Sequence, residues 1–556
     1  MEPHPLTPYL SVTAQIQPGD LPAIQAMGVK SIICNRPDGE GPDQPPSDAI
    51  AQAADELGIV LRYLPVVSGK ISDEDAQTFG VLMQTLPKPA LAYCSSGMRS
   101  TTLWALSQAA VRPLPQILEA AKSAGFDLKD SVRSISNGGK KPVEVTDSSH
   151  QVVIIGGGAA GIGVAASLLA RAPDLDISII DPADVHYYQP GWTMVGAGVF
   201  EAASTARTLA SLIPSGVQWI KAAVVALEPE RNAVILEGCR VVTYEQLVVC
   251  PGLKLDWDAI PGLTETLGRN GVTSNYRFDL APYTWELTQR MKGGRALFTQ
   301  PPMPIKCAGA PQKAMYLSCD HWLRSGVLKD IQVGFYNAGG VLFGVPDYVP
   351  ALMEYIARYD IELNFSHTLT AIDGPGRSAT FSRTVPGGAK ETVSSDFDMI
   401  HVVPPQRSPD FIRVSPLSDA AGWVDVDPAT MRHTTLPNIF GLGDAGNTSN
   451  AKTAAAARKQ APVVAHNILV TRGKLKGDAH YDGYGSCPLT VERGKIVLTE
   501  FLYGGKVSPT FPSWLIDGTR PSRAAWMLKE KVLPALYWEA MLKGREWMAK
   551  PETVAA

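Results

Sequence analysis

Cys307 lies in PIKCAGAPQKAMYLSC (304–319), between Lys306 and the small-residue turn Ala308-Gly309-Ala310-Pro311, with no acidic residue until Asp320. Only the thiolate is nucleophilic. A neighbouring lysine and a following helix N-terminus both favour it, so the stretch reads as a reactive thiol. A second cysteine, Cys94 in AYCSSGMRS, ends a strand-like run and is followed five positions on by Arg99. This Cys-x4-Arg spacing makes a six-residue cradle. Backbone N–H groups entering a helix converge on one point there and bind an anion, and Arg99 adds a bidentate fork.

A third element is a nucleotide signature. VVIIGGGAAGIGVAASLLA (152–170) runs strand, Gly156-x-Gly158-Ala159-Ala160-Gly161, helix. Gly156 permits the tight turn, Gly158 admits a pyrophosphate to the backbone, and Gly161 lets helix and strand pack closely. The next strand, DISIID, ends at Asp181, where an acid takes ribose hydroxyls. Further on, IFGLGDAG (439–446) puts Asp444 at a strand end before a helix, where it reaches a ribityl chain. Together these predict FAD. The region where a second fingerprint would bind a nicotinamide, IQVGFYNAGGVLFGV (331–345), lacks one, so electrons must use another carrier.

These elements need more than one core, since 556 residues exceed what a single domain buries. The composition, 45% hydrophobic and 19% charged, is that of a soluble globular α/β chain. A net charge of −4 leaves no electrostatic footprint for nucleic acid. Seven scattered cysteines include no CxxC or Cys/His pairing, so neither a metal site nor a disulfide framework is expected. The first residues lack the basic and apolar regions of a signal peptide, and no apolar run is long enough to span a bilayer. Residues 1–133 alternate strand and helix signals. Residues 134–150, rich in Ser, Gly, Lys and Asp, read as a linker. Residues 151–480 carry the dinucleotide signatures, and 481–556 form a C-terminal region ending in a broken amphipathic helix.

Four runs, DPADVHYYQPGWTMVGAG (181–198), IKCAGAPQKAMYLS (305–318), GLGD…NAKTAAA (441–456) and YDGYGSCPLTVERGKIVLTEF (481–501), resemble those of sulfide:quinone oxidoreductases. The resemblance covers roughly residues 150–550. It implies a flavoprotein with two dinucleotide-binding domains of Rossmann type, in which FAD oxidises sulfide through two redox cysteines and electrons pass to a quinone. By position, Asp181, Gln189, Val224, Asp410 and Asp444 would contact FAD, Lys452 would lie near the flavin or quinone ring, and Cys307 would be the first redox cysteine. The second is expected just after Gly443-Asp444, where this chain has Ala445 instead. Cys319, three helical turns beyond Cys307, is a poor substitute, and Cys250 is a candidate one.

LSVTAQIQPGDLPAIQAMGVKSIICNRPDGE, LPVVSGKISDED and YCSSGMRSTTLWAL resemble a small bacterial family with a phosphatase-like fold, associated with sulfur transfer. Rhodaneses use a six-residue cradle to carry a persulfide, whereas tyrosine phosphatases use one residue more. Were the activity phosphatase, Asp73 or Asp75 would be the general acid; otherwise each is a solvated helix cap.

In the tail, Trp526, Met527, Val532, Leu533, Leu536, Tyr537, Trp538 and Leu542 interleave with Lys529, Lys531, Lys543 and Arg545. That pattern suits an interfacial helix on a membrane surface, or a helix packed on the protein's own core, with Pro534 kinking or dividing it. The expectation is a fused enzyme, cytoplasmic and peripheral on the inner face of the cytoplasmic membrane, with a homo-oligomer left open. Its flavoprotein half oxidises sulfide, and its N-terminal half passes the sulfur from Cys94 to a small thiol. The alternatives are a catalytically altered flavoprotein acting as sensor or membrane-docking module, and an N-terminal phosphatase.

Overall fold

The computed structural model describes residues 2–109, 111–141 and 145–554. The chain forms two compact units: residues 1–149 with 223–243 and 410–416, and residues 150–222 with 244–409 and 417–556.

In the first unit, β1 (His4–Thr7), β2 (Leu10–Thr13), β3 (Ser31–Cys34), β4 (Val60–Tyr63) and β5 (Ala90–Tyr93) form a sheet ordered β1-β2-β5-β3-β4. Only the β1–β2 pair is antiparallel. The runs SIIC and ALAY are wholly buried, as parallel strands covered on both faces must be. Helix α1 is Leu21–Ala26, α2 Ser47–Glu56, α3 Asp73–Thr85, α4 Met98–Gln108, α5 Leu114–Ser123 and α6 Val132–Ser136. Helix α3 starts where it does because Ser72 and Asp75 cap each other: Ser72 Oγ accepts from Asp75 N at 3.1 Å, and Asp75 accepts from Ser72 N at 2.8 Å. Phe79 of α3 and Trp104 of α4 are buried in one core with α5, α6 and the hairpin strands Val224–Glu228 and Ala233–Leu236. The stretch read as a linker carries the end of α6 and the opening of β6 (Val145–Ile155); its residues 142–144 lie outside the described residues.

In the second unit β6 leads through the glycine turn into α7 (Ala159–Arg171) and then β7 (Ile177–Ile180). The sheet around them runs Val217–Ile220, β7, β6, Tyr244–Val249 and Ile439–Gly441. A second sheet is parallel throughout, in the order Val272–Thr273, Met399–His401, Gly294–Gln300, Ile331–Asn337, Ile361–Phe365. Helix Ala310–Arg324 packs against it and against the hairpin Gly485–Glu492/Lys495–Phe501, which is therefore core rather than part of a separate C-terminal region.

The tail is divided, as Pro534 foretells: Arg523–Met527 is α-helical, Leu528–Val532 is a π-helical turn, and Leu533–Glu539 resumes α-helix with Pro534 in its first turn. Of the aromatic positions read as interfacial, Trp526, Tyr537 and Trp538 are buried in the unit's own cores, with Met541 and Leu542 beside them. Met527 and Val532 remain exposed. Among the described residues no helix is long and apolar enough to cross a membrane.

Gly156 and Gly158 test the turn differently. Gly156 has φ +110°, and a Cβ there would lie 2.5 Å from the Cys250 carbonyl oxygen, whereas a Cβ on Gly158 would meet nothing within 4 Å. Gly156→Ala is expected to destabilise the unit by at least about 1–2 kcal/mol, from the left-handed backbone alone. Gly158→Ala should leave the ligand-free thermal unfolding midpoint unchanged. Equal midpoints for the two variants would refute this account of the turn.

Candidate active site

Cys307 sits on a strained turn. Its φ is +48°, in the left-handed region that side chains avoid. Three hydrogen bonds hold it there: Cys307 N donates to Lys452 O at 2.8 Å, Ala310 N to Cys307 O at 2.7 Å, and the Tyr276 hydroxyl to Lys306 O at 3.0 Å. Helix Ala310–Arg324 begins immediately after.

The thiol that faces Cys307 comes from 180 residues away: Cys487 Sγ lies 3.3 Å from Cys307 Sγ. Gly309 makes the approach possible, since a Cβ there would fall 2.6 Å from Cys487 Sγ and 2.3 Å from Leu489. The partner expected at Ala445 is thus supplied by Cys487. Cys319 and Cys250 take no part. Cys319 is packed in the core beneath the second sheet, Cys250 lies against the Gly156 carbonyl, and burial pushes both thiols up.

Lys313, one helical turn beyond Gly309, donates from Nζ to Cys307 Sγ at 3.1 Å although its side chain is only 3% exposed. The hydrogen bond with Cys487 and the Lys313 charge hold the Cys307 thiol well below its ordinary value, against the effect of burial. The same hydrogen bond and burial push Cys487 well above it. Lys313 is pushed up because the sulfurs favour its charged form, which outweighs its burial. A second buried lysine, Lys529 of the tail, is pushed down to about 7, mainly by burial and also by the Lys313 charge, while both cysteines oppose that shift.

Lys306, expected to activate Cys307, has another partner. Its Nζ donates to Gln189 Oε1 at 2.7 Å and lies 5.6 Å from the ring centroids of Trp192 and Tyr276, and burial lowers it to about 8. Sequence reasoning missed Cys487, Lys313 and Lys529. The alternation Cys487, Leu489, Val491, all buried, was the available signal for the first, and the helical position of Lys313 for the second.

Beside this pair lies the nucleotide cradle. Asp181 accepts from Gly157 N at 2.7 Å and from Ala183 N at 2.8 Å. Gly158 opens α7, with Ala159, Ala160 and Gly161 in its first turn; a Cβ on Gly161 would lie 1.9 Å from the Gly156 oxygen. The Gly443-Asp444 turn abuts Ala160 and is pinned by Gln460, which accepts from Gly443 N at 2.9 Å. Lys452 Nζ donates to Asp444 O at 2.9 Å and Gly446 O at 2.7 Å, over the Trp423 ring, and burial lowers it to about 8. Burial pushes the Asp444 carboxyl up, opposed by Lys452 and Lys306. Val224 and Asp410 belong to the first unit, on a hairpin strand and a short helix respectively.

A flavin cofactor fits these residues. Trp192 Nε1, Thr193 Oγ1, Gln406 Nε2 and both side-chain polar atoms of Asn275 are buried without protein partners. Gln406 and Trp192 are tied to Lys306, and Asn275 adjoins Tyr276. Buried polar atoms are nearly always satisfied, so such a cluster calls for a ligand bearing donors and acceptors.

In the first unit, Cys94 follows β5 and is fully buried; Gly97 N donates to its Sγ at 3.1 Å, with Gly97 at φ +89° capping α4. Arg99 Nη1 donates to Asn35 O at 3.1 Å and Val66 O at 2.6 Å, and Nη2 pairs with Glu40 Oε1 at 2.8 Å. Asp75 caps α3, as a helix-start residue does, and Asp73 in its first turn accepts from Lys141 N at 2.9 Å.

Comparison with known proteins matches the same two halves. Residues 4–111 match the family model described as beta-lactamase hydrolase-like protein, phosphatase-like domain, and residues 150–283 match pyridine nucleotide-disulphide oxidoreductase. The mitochondrial sulfide:quinone oxidoreductase of Dictyostelium discoideum is 40% identical over 78% of this chain and 95% of its own length. That of Mus musculus is 38% identical over 71% and 87%. The crystal structure of the Aquifex aeolicus sulfide:quinone oxidoreductase shares the fold, with a TM-score of 0.57 and 19% identity over 70% of this chain and 91% of that one. These matches imply a flavin cofactor. With a phosphatase-like α/β domain ahead of its Rossmann-like oxidoreductase unit, this chain belongs to the sulfide:quinone oxidoreductase family.

Proposed function

We propose that the second unit binds FAD and oxidises sulfide with a quinone as electron acceptor, and that the first unit passes the resulting sulfane sulfur to a small thiol. The observation that carries this reading is the Cys307–Cys487 pair, 3.3 Å apart, with the Lys313 amine 3.1 Å from Cys307 Sγ. In the oxidised enzyme the two cysteines share a disulfide. Hydrosulfide attacks the sulfur of Cys487, the S–S bond breaks toward Cys307, and Cys487 is left as a persulfide. The direction follows from leaving-group strength, because the thiol of lower pKa leaves faster. Lys313 holds the negative charge that appears on Cys307. A small thiolate then takes the outer sulfur from Cys487, and both cysteines are left reduced. FAD, when bound, would supply the two-electron acceptor that re-forming the disulfide requires, with the quinone as the final acceptor. Asp181, Gly158 and the N-terminus of α7 hold the dinucleotide, and Asp444, Lys452, Lys306 and Gln189 line its ring end.

Sulfur released as a small persulfide is then loaded onto Cys94. Quinones dissolve in lipid, so we place the protein in the cytoplasm, peripheral on the inner face of the cytoplasmic membrane. The exposed Trp514, Leu515, Met527 and Val532 support contact with lipid.

Two measurements test the chemistry. Anaerobic sulfide should bleach the flavin of the wild-type protein, and quinone should restore it. In Cys487→Ser the kcat/KM for sulfide should fall at least about 100-fold, or ~2.7 kcal/mol. A variant within a few-fold of wild type would remove Cys487 from the cycle. The second measurement is the pH dependence of Cys307 alkylation in the reduced enzyme. Lys313→Met withdraws the cation beside the sulfur, so the inflection should move to higher pH. At a fixed pH below the inflection, the alkylation rate should drop about tenfold for every pH unit by which the inflection moves. An unmoved inflection would show that Lys313 does not set the thiolate.

A further inference from the structure

The Cys94 cradle contains a carboxylate that sulfur transfer does not call for. Of the Arg99 N–H groups, those on Nη1 go to two carbonyls and one on Nη2 goes to Glu40; Nε is buried without a partner, in a side chain only 6% exposed. Glu40 is fixed from its other side, its Oε2 accepting from Arg36 Nε at 2.9 Å, while Arg36 Nη1 donates to Gln15 Oε1 at 3.0 Å. The free donors are therefore the Arg99 Nε–H and what remains on Nη2, beside the Gly97 N–H already aimed at Cys94 Sγ.

Bidentate recognition of a tetrahedral oxyanion uses two parallel N–H groups of the guanidinium edge. Here Nη2, one end of the Nε/Nη2 edge, already donates to a carboxylate. A doubly charged phosphoryl or thiosulfate group seated on that edge would bring its oxygens against Glu40. A species with a single charge on sulfur needs only one donor and meets less repulsion. We propose that Glu40 is a specificity-determining residue, which reserves the Cys94 cradle for hydropersulfides and excludes doubly charged tetrahedral oxyanions. The inference rests on the sulfur-transfer reading of this unit and names the substrate class. Loading is then the attack of the Cys94 thiolate on the outer sulfur of RSSH: the S–S bond breaks, RS⁻ leaves, and Cys94 carries the persulfide. An acceptor thiolate later takes that sulfur by the same exchange, with no net oxidation.

The test uses the full chain and two variants, Glu40→Gln and Glu40→Asp, with glutathione persulfide and thiosulfate as donors. Persulfide on Cys94 is read by peptide mass mapping, and the quantity compared is the ratio of loading rates from the two donors. In wild type the ratio should favour the persulfide. In Glu40→Gln it should fall at least about tenfold, as expected for removing a like charge at close range in a partly screened site. Orthophosphate should then begin to protect Cys94 from iodoacetamide. Glu40→Asp retains the charge and should keep the wild-type preference, which separates charge from loss of fold. A parallel fall with both donors in Glu40→Gln, leaving the ratio within about twofold, would mean that Glu40 only positions Arg99 and would overturn the proposal. Cys94 left unloaded by either donor in all three proteins would defeat the sulfur-transfer reading itself.

Discussion

The chemistry of this protein depends on bringing two sulfurs and an ammonium group together away from water. A buried lysine is costly unless a negative partner faces it, and a buried thiolate is costly for the same reason. Lys313 and Cys307 resolve each other's cost at 3.1 Å. The arrangement requires Cys307 in a left-handed turn and no side chain at position 309, because the hairpin strand carrying Cys487 occupies that space. Strain at one residue and the absence of a Cβ at another are thus conditions of the contact between the sulfurs.

That contact is asymmetric, and the asymmetry gives the two cysteines different roles. The Lys313 charge acts on both sulfurs, but the hydrogen bond they share holds the Cys307 thiol down and, with burial, pushes the Cys487 thiol up. Lys529 extends the effect. It reaches the pair from the π-helical turn of the tail, where the widened helix and the proline that follows reset the direction of the chain. The tail therefore contributes a buried amine to the surroundings of the cysteine pair as well as apolar side chains to the core, so its amphipathic pattern does not report a membrane face alone.

The division between what was legible in the sequence and what was not has a physical basis. The glycine turn, Asp181 and Asp444 were readable because each serves a local backbone geometry that fixes residue type at fixed spacing. Cys307 and Cys94 were readable for the same reason, each opening a turn into a helix. Cys487 was not, because its function arises from pairing across 180 residues, and along the chain it looks like any inward position of a buried strand. Lys306 misled because adjacency in sequence does not give direction: the residue beside Cys307 points to Gln189, while the one six positions on reaches the sulfur. Part of the stretch read as a linker is strand, because Thr, Asp and Ser are tolerated where β6 begins at a unit's edge.

Burial also limits how sulfur travels. Cys94 is 0% exposed and Cys487 2% exposed, each enclosed by its own unit. Such an enclosure leaves no room for a second side chain anchored on another folded surface. Thiol–disulfide exchange needs the attacking sulfur in line with the bond it breaks. Two buried cysteines cannot both meet that condition by direct hand-off. A small thiol that enters the first site, leaves with the sulfur and enters the second satisfies it twice. In the proposed cycle each cysteine therefore keeps its own electrostatic surroundings, ammonium and thiol for Cys307 and Cys487 and the Gly97 backbone N–H for Cys94.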